Sequence, residues 1–186
     1  MKYALFACAL LLIGAGCARQ SSEVPETGII RVPATPAESG VQVGIAVGDQ
    51  APIFLLADFE GSQVQLSNLR GTPVLIDFWA AWCPFCVDEI PAIEEIHQEF
   101  GGRIVVLGIH RTDTESREAG ARFAESLGVT YSLLQDTDGS VYRTYTGGQR
   151  FMPVAFFIDA SGIIRERIYG PKTAVEMRAA ISRLLE

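Results

Sequence analysis

The chain has 186 residues, of which 48% are hydrophobic and 20% charged, and its formal net charge is −7 at neutral pH. That length and apolar fraction supply one buried core and argue against two domains or a disordered chain. With 22 acidic residues against 15 basic ones and no basic cluster, the composition excludes charge-driven binding to nucleic acid or to an anionic bilayer surface.

The first segment, MKYALFACALLLIGAGC, has one basic residue, Lys2, then an apolar run from Ala4 to Ile13 and the small residues Gly14, Ala15 and Gly16 before Cys17. This is the pattern of a secretory leader over residues 1–16, and its apolar run is well short of the roughly 20 residues that span a bilayer. Small residues ending in cysteine resemble a bacterial lipobox, although Gly14 stands where that motif usually has leucine. The resemblance implies a lipidated Cys17, a protein attached to the membrane through its N-terminal lipid, and a place on the periplasmic or extracytoplasmic side of the cell envelope. Cys8 then leaves with the leader and Cys17 is acylated, so Cys83 and Cys86 keep the free thiols. Residues 17–45 are rich in Ser, Pro, Glu, Thr and Gly without an apolar period, which predicts a flexible tether ahead of one domain over residues 46–186.

Within that domain, Phe54–Leu56 and Val64–Leu66 flank the turn-like Asp58-Phe59-Glu60-Gly61 and predict a short hairpin. Pro73 to Trp79 is a continuous apolar run broken only by Asp77, as suits a central strand covered on both faces. The following segment places Val87, Ile90, Ile93, Ile96 and Phe100 at helical spacing up to Gly101-Gly102, with Pro91 inside it expected to kink the helix. A second buried run, Ile104 to Ile109, must be parallel to the first if the crossover is right-handed. Thr114 to Leu127 reads as a helix stopped by Gly128, and Tyr131 to Leu134 as a short strand before a turn at Asp138-Gly139. Val154–Ile158 and Ile163–Ile168 form a hairpin, and a last helix opens on Thr173-x-x-Glu176, the spacing of a capping box. The order of elements predicts a central mixed sheet with helices on both faces, a three-layer α/β/α sandwich preceded by a hairpin.

Trp82-Cys83-Pro84-Phe85-Cys86 sits where the first buried strand gives way to the first helix. A disulfide between these cysteines would close so short a loop that it removes little chain entropy, so it is a poor structural staple. At a helix N-terminus Cys83 meets unpaired N–H groups and the positive end of the helix dipole, both of which favour its thiolate. Only the thiolate attacks a disulfide, so Cys83 is the expected nucleophile and Cys86, one turn deeper, the resolving thiol. Pro84 suits a first helical position, which has no use for an N–H.

The stretch VLIDFWAAWCPFC resembles the active-site strand of thioredoxin. Trp82-Cys83-x-x-Cys86-x-x-Glu89-Ile90-Pro91, together with LSNLRGTPVLI before it, resembles the membrane-attached TlpA/ResA branch of the thioredoxin-like superfamily. The resemblance covers residues 46–186 and implies a thioredoxin fold and a thiol–disulfide oxidoreductase, often reductive and often serving cytochrome c maturation. It implies disulfide-containing client proteins and a transmembrane electron donor as partners, and no cofactor. Asp77 matches the acid buried behind the cysteine pair, able to take the Cys86 proton. Thioredoxin's neighbouring strand also supplies a lysine, whereas Ile104 to Ile109 has none, and Lys172 is the one lysine after the leader. Met152-Pro153 resembles the cis-proline loop that faces the cysteines and pairs with substrate as an added strand, and Trp82 is expected to line the same groove.

His97 and His110 have no metal-ligand spacing with the cysteines or with each other, so surface or edge positions are expected for both, and no metal. Two other chemistries compete. A peroxiredoxin-like thiol peroxidase resembles a pattern with threonine three residues before the attacking cysteine, where this chain has Ala80. A copper-binding thioredoxin-like chaperone would use a wider cysteine spacing and a distant histidine, and no histidine follows Pro153.

Overall fold

The computed structural model describes residues 40–186; the leader, Cys17 and all but the end of the tether lie outside them. In chain order the elements are β1 (Leu55–Ala57), β2 (Gln63–Gln65), a 3-10 turn (Leu66–Leu69), β3 (Val74–Trp79), α1 (Pro84–Phe100), β4 (Val105–His110), α2 (Arg117–Ser126), β5 (Ser132–Gln135), α3 (Ser140–Thr146), β6 (Val154–Ile158), β7 (Ile164–Tyr169) and α4 (Ala174–Leu184). β1 and β2 form the expected antiparallel hairpin. The other five strands make one mixed sheet in the order β5-β4-β3-β6-β7, with β3, β4 and β5 parallel and β6 antiparallel to both β3 and β7.

β3 is the middle strand, and all six of its residues are buried. Because side chains alternate across a strand, its two faces serve different layers. Val74, Ile76 and Phe78 enter a core with Val141, Tyr142 and Tyr145 of α3 and Leu66 of the 3-10 turn. Leu75 packs with Ile93, Ile96 and Phe100 of α1 and Met177 and Ile181 of α4. Trp79 packs with both cysteines, Ile90 of α1 and Ala124 of α2. Asp77 lies between Leu75 and Trp79 on that second face, so a carboxylate is carried into an otherwise apolar layer under α1.

Two elements differ from the expectations. α3 follows the expected turn at Asp138-Gly139, in a segment to which the sequence assigns no element because seven residues give too little helical period to recognise. Gly139 and Gly147, at φ 68° and 60°, bracket it, and the buried Asp136 carboxylate accepts from the Tyr142 N–H at 2.7 Å, capping the first turn. α2 begins at Arg117 rather than Thr114, because the Ser116 hydroxyl caps it by accepting from Ala119 N–H; Thr114 and Glu115 are thereby released for other contacts. Ahead of β1, Gln50 N–H donates to the Gln42 carbonyl at 2.8 Å and Ile45 packs on the core. α1 runs without interruption through Pro91. α4 opens on the full capping box, with Thr173 N–H donating to Glu176 Oε2 at 2.7 Å and Glu176 N–H donating back to Thr173 Oγ1.

Candidate active site

Cys83 is the N-cap of α1, in extended backbone, and Pro84 occupies the first helical position. The two cysteines form a disulfide with their Cα atoms 5.3 Å apart. Cys83 Sγ accepts from the Cys86 N–H at 3.2 Å, so a backbone dipole already points at the sulfur where a thiolate would develop. Cys86 is fully buried and Cys83 retains 3% exposure. Trp82 and Phe85, on either side of it, are about half exposed, and Pro84 is exposed as well.

The Met152–Pro153 bond is cis. Met152 packs against the cluster that contains both cysteines, Trp79 and Ile90, so the loop before β6 is brought to the redox pair as the motif implied. Phe151, one residue earlier, is largely exposed. Trp82, Phe85, Phe151 and Met152 therefore offer apolar surface around an otherwise covered disulfide.

A charge cluster that local sequence does not disclose joins β3, α1 and the loop before α4. Asp77 is fully buried, Glu89 sits one helical turn after Cys86, and Lys172, in the loop between β7 and α4, is 5% exposed. Lys172 Nζ lies 2.8 Å from Asp77 Oδ1 and also pairs with Glu89 Oε2, while Lys172 N–H donates to Glu89 Oε1 at 2.6 Å. On β4, the residue in register with Asp77 is Gly108. The strand lysine is absent, and the cation beside Asp77 comes instead from the loop between β7 and α4.

Two carboxylates and one ammonium cannot all be charge-balanced, and burial decides where the excess falls. Burial pushes the Asp77 carboxyl above the usual carboxylate range, and the Lys172 charge only partly opposes it. Glu89 is raised for the same reason, with the Asp77 charge adding to the effect. Burial alone would lower Lys172, but Asp77 and Glu89 outweigh it and hold the ammonium protonated. Asp77 Oδ1 faces the Lys172 ammonium, and Oδ2 has no hydrogen-bond partner. The cluster is a buried, net-anionic group whose member Glu89 lies one helical turn after Cys86 on α1.

His110 was expected at a surface or edge position, and it is instead fully buried at the end of β4. Its ring packs on Trp79 with centroids 4.7 Å apart, and Nε2 lies 2.6 Å from Glu115 Oε1. A carboxylate five residues downstream made burial affordable; with α2 read as starting at Thr114, that partner would have pointed elsewhere.

The chain matches the AhpC/TSA family over residues 47–167. It is 31% identical to the thiol–disulfide oxidoreductase ResA of Geobacillus thermodenitrificans over 140 residues, covering 74% of this chain and 77% of that protein. Among solved structures it is similar to a protein of Chlorobium tepidum assigned as thiol:disulfide interchange protein DsbE, with a TM-score of 0.68 and 26% identity, covering 77% of this chain and all of the other. It also resembles the exposed lipoprotein thioredoxin of Streptococcus pneumoniae, with a TM-score of 0.60 and 28% identity over 72% of this chain and 100% of that one. The paired sulfurs at a helix start, the cis-proline loop against them and these likenesses agree: the chain is a thiol–disulfide oxidoreductase of the thioredoxin fold and belongs to the AhpC/TSA family.

Proposed function

We propose that the protein reduces disulfides of client proteins on the extracytoplasmic side of a membrane, with Cys83 attacking and Cys86 resolving. In the reduced enzyme the Cys83 thiolate attacks one sulfur of a client disulfide, that S–S bond breaks, and the departing client sulfur leaves as thiolate and takes a proton. Cys86 then gives its proton to the buried carboxylate cluster, with Asp77 as the base, and its thiolate attacks Cys83 Sγ. The mixed disulfide breaks, the client leaves fully reduced, and the two electrons it gained are those lost in forming Cys83–Cys86. A transmembrane dithiol donor returns them by the same exchange in reverse.

The observation that carries this proposal is the asymmetry of the pair: Cys83 caps the helix and keeps a trace of exposure, while Cys86 is fully buried one turn into it. Trp82, Pro84, Met152 and Pro153 are the client-facing surface, with an extended client segment pairing along the backbone before Pro153. Lipidation of Cys17 would place the enzyme at the membrane, in keeping with the lipoprotein thioredoxin it resembles, and cytochrome c maturation is a fitting client pathway for a ResA-like chain. Ala80 offers no hydroxyl where a peroxidase of the related type would need one, so reduction of protein disulfides is the better fit.

Expressed in its own envelope, a Cys86→Ala variant should accumulate covalent adducts through Cys83 that dissolve in dithiol. Cys83→Ala should trap nothing. Adducts forming equally through Cys86 would reverse the assigned roles.

A further inference from the structure

The loop from His110 to Glu115 is bonded to the chain just ahead of Cys83 at three points. Arg111 N–H donates to the Trp79 carbonyl at 3.0 Å. Ala81 N–H donates to Glu115 Oε1 at 2.6 Å. Trp82 Nε1–H donates to Thr114 Oγ1 at 3.0 Å, and the Thr114 hydroxyl is itself oriented by donating to the Arg111 carbonyl at 2.9 Å. The Glu115 oxygen that receives Ala81 is the one 2.6 Å from His110 Nε2. The imidazole is held in turn by Thr112 Oγ1, 2.9 Å from Nδ1, and by the rings of Trp79 and Phe59 at 4.7 and 5.6 Å. On the α2 side Gly120 leaves the room the ring fills, since a methyl group there would overlap Nε2, Cε1 and Cδ2.

We infer that His110 and Glu115 are a positioning pair, in which the buried imidazole fixes the carboxylate that seats Ala81 and, through it, sets where Cys83 Sγ and the Trp82 face lie. Burial favours the neutral imidazole; its Nε2–H then donates to Glu115 while Nδ1 accepts from the Thr112 hydroxyl, and every polar atom of the ring is satisfied. Ala81 is two residues before the nucleophile, and the Cys83 N–H is tied to the Ala80 carbonyl at 3.1 Å. Any drift of Ala81 therefore moves the sulfur relative to the helix N–H groups that favour its thiolate. Neither residue touches a client, so the pair acts through the loop and not on the reacting bonds.

The inference rests on the oxidoreductase chemistry proposed above only for its consequence, and its test needs neither client nor electron donor. On the reduced protein, the pH dependence of Cys83 alkylation by iodoacetamide reports thiolate formation, and acrylamide quenching of the half-exposed Trp82 reports its seating; Trp79 is fully buried and stays silent. Glu115→Ala removes the acceptor for Ala81, and the alkylation midpoint should move at least about half a unit toward the free-cysteine value, with Trp82 quenching rising roughly twofold. Glu115→Gln keeps an acceptor oxygen and should restore both. If Glu115→Ala matches the unaltered protein in both readouts, or if Glu115→Gln departs as far as Glu115→Ala, the inference is overturned. Should Glu115→Ala fail to fold, His110→Phe decides, because it keeps a ring in the same packing and removes the Nε2 contact to Glu115: a shifted alkylation midpoint with increased quenching supports the pair, and unchanged values in both refute it. A failure to trap clients with Cys86→Ala would leave all of these outcomes readable.

Discussion

Replacing Lys172 with methionine keeps the volume and apolar stem of the side chain and removes only the charge. In the folded protein that charge faces two carboxylates, one fully buried and one 5% exposed. Removing one partner of a buried ion pair typically costs about 3–5 kcal/mol, because the remaining charge is left uncompensated. The carboxylates can escape part of this by binding protons, which fixes the sign of the pH dependence. Asp77 and Glu89 are already raised above the ordinary range with Lys172 present, and without it both rise further. The folded variant then holds more protons than the unfolded chain from roughly pH 4 upward, so its stability falls as pH rises, by up to about 1.4 kcal/mol per pH unit for each extra proton. Urea denaturation of Lys172→Met at mildly acidic, neutral and mildly alkaline pH should show the smallest deficit at the acidic end and the full deficit at the alkaline end. Adding Glu89→Gln should recover a large part of the loss, since one orphaned carboxylate remains instead of two. A Lys172→Met protein within about 1 kcal/mol of the parent throughout, or one that gains stability with rising pH, would refute the reasoning.

The proposed role of Asp77 as the base for Cys86 concerns the second half of the cycle. Asp77→Asn should slow resolution of a preformed mixed disulfide by roughly 10²-fold at neutral pH, the usual contribution of a general base, as followed by single-turnover release of a fluorescent client peptide. In the parent, resolution should weaken as pH falls through the raised Asp77 pKa, and this acid limb should vanish in Asp77→Asn. Beside it, Gly108→Ala should destabilise the protein by about 1–3 kcal/mol in urea melts, because the added methyl would meet Leu133 Cδ2 and Tyr131 Cε2 at 2.8 Å. A neutral outcome there would mean that the β4 face next to Asp77 has more slack than the packing shows.

The architecture and the redox centre were legible where the relevant residues are neighbours in sequence. β3, the CPFC turn and α1 follow one another without a break, so hydrophobic run, helix spacing and cysteine spacing point to one strand-to-helix junction. The capping box of α4 and the β6–β7 hairpin were equally local. Asp77 stood out because a lone acid in a run of buried residues needs a reason. Its partner did not: Lys172 and Glu89 are 83 residues apart, and Lys172 lies in a Gly-Pro-Lys loop that reads as solvent-exposed. His110 was misplaced for a related reason. A histidine at a strand end with polar neighbours looks like an edge, and its burial depends on where α2 begins, which hinges on whether Thr114 or Ser116 caps that helix. α3 was missed because two helical turns are too few to generate a period, and its stability comes from the Asp136 cap and the packing of Tyr142 and Tyr145.

Ionisation of the Cys83 thiol in reduced Cys86→Ala, followed by ultraviolet thiolate absorbance against pH, tests the central claim most directly. Half-ionisation should fall below about pH 7.5, in the range that a helix start confers on a cysteine. A sulfur that remains protonated up to the free-cysteine value of about 8.5 would contradict it.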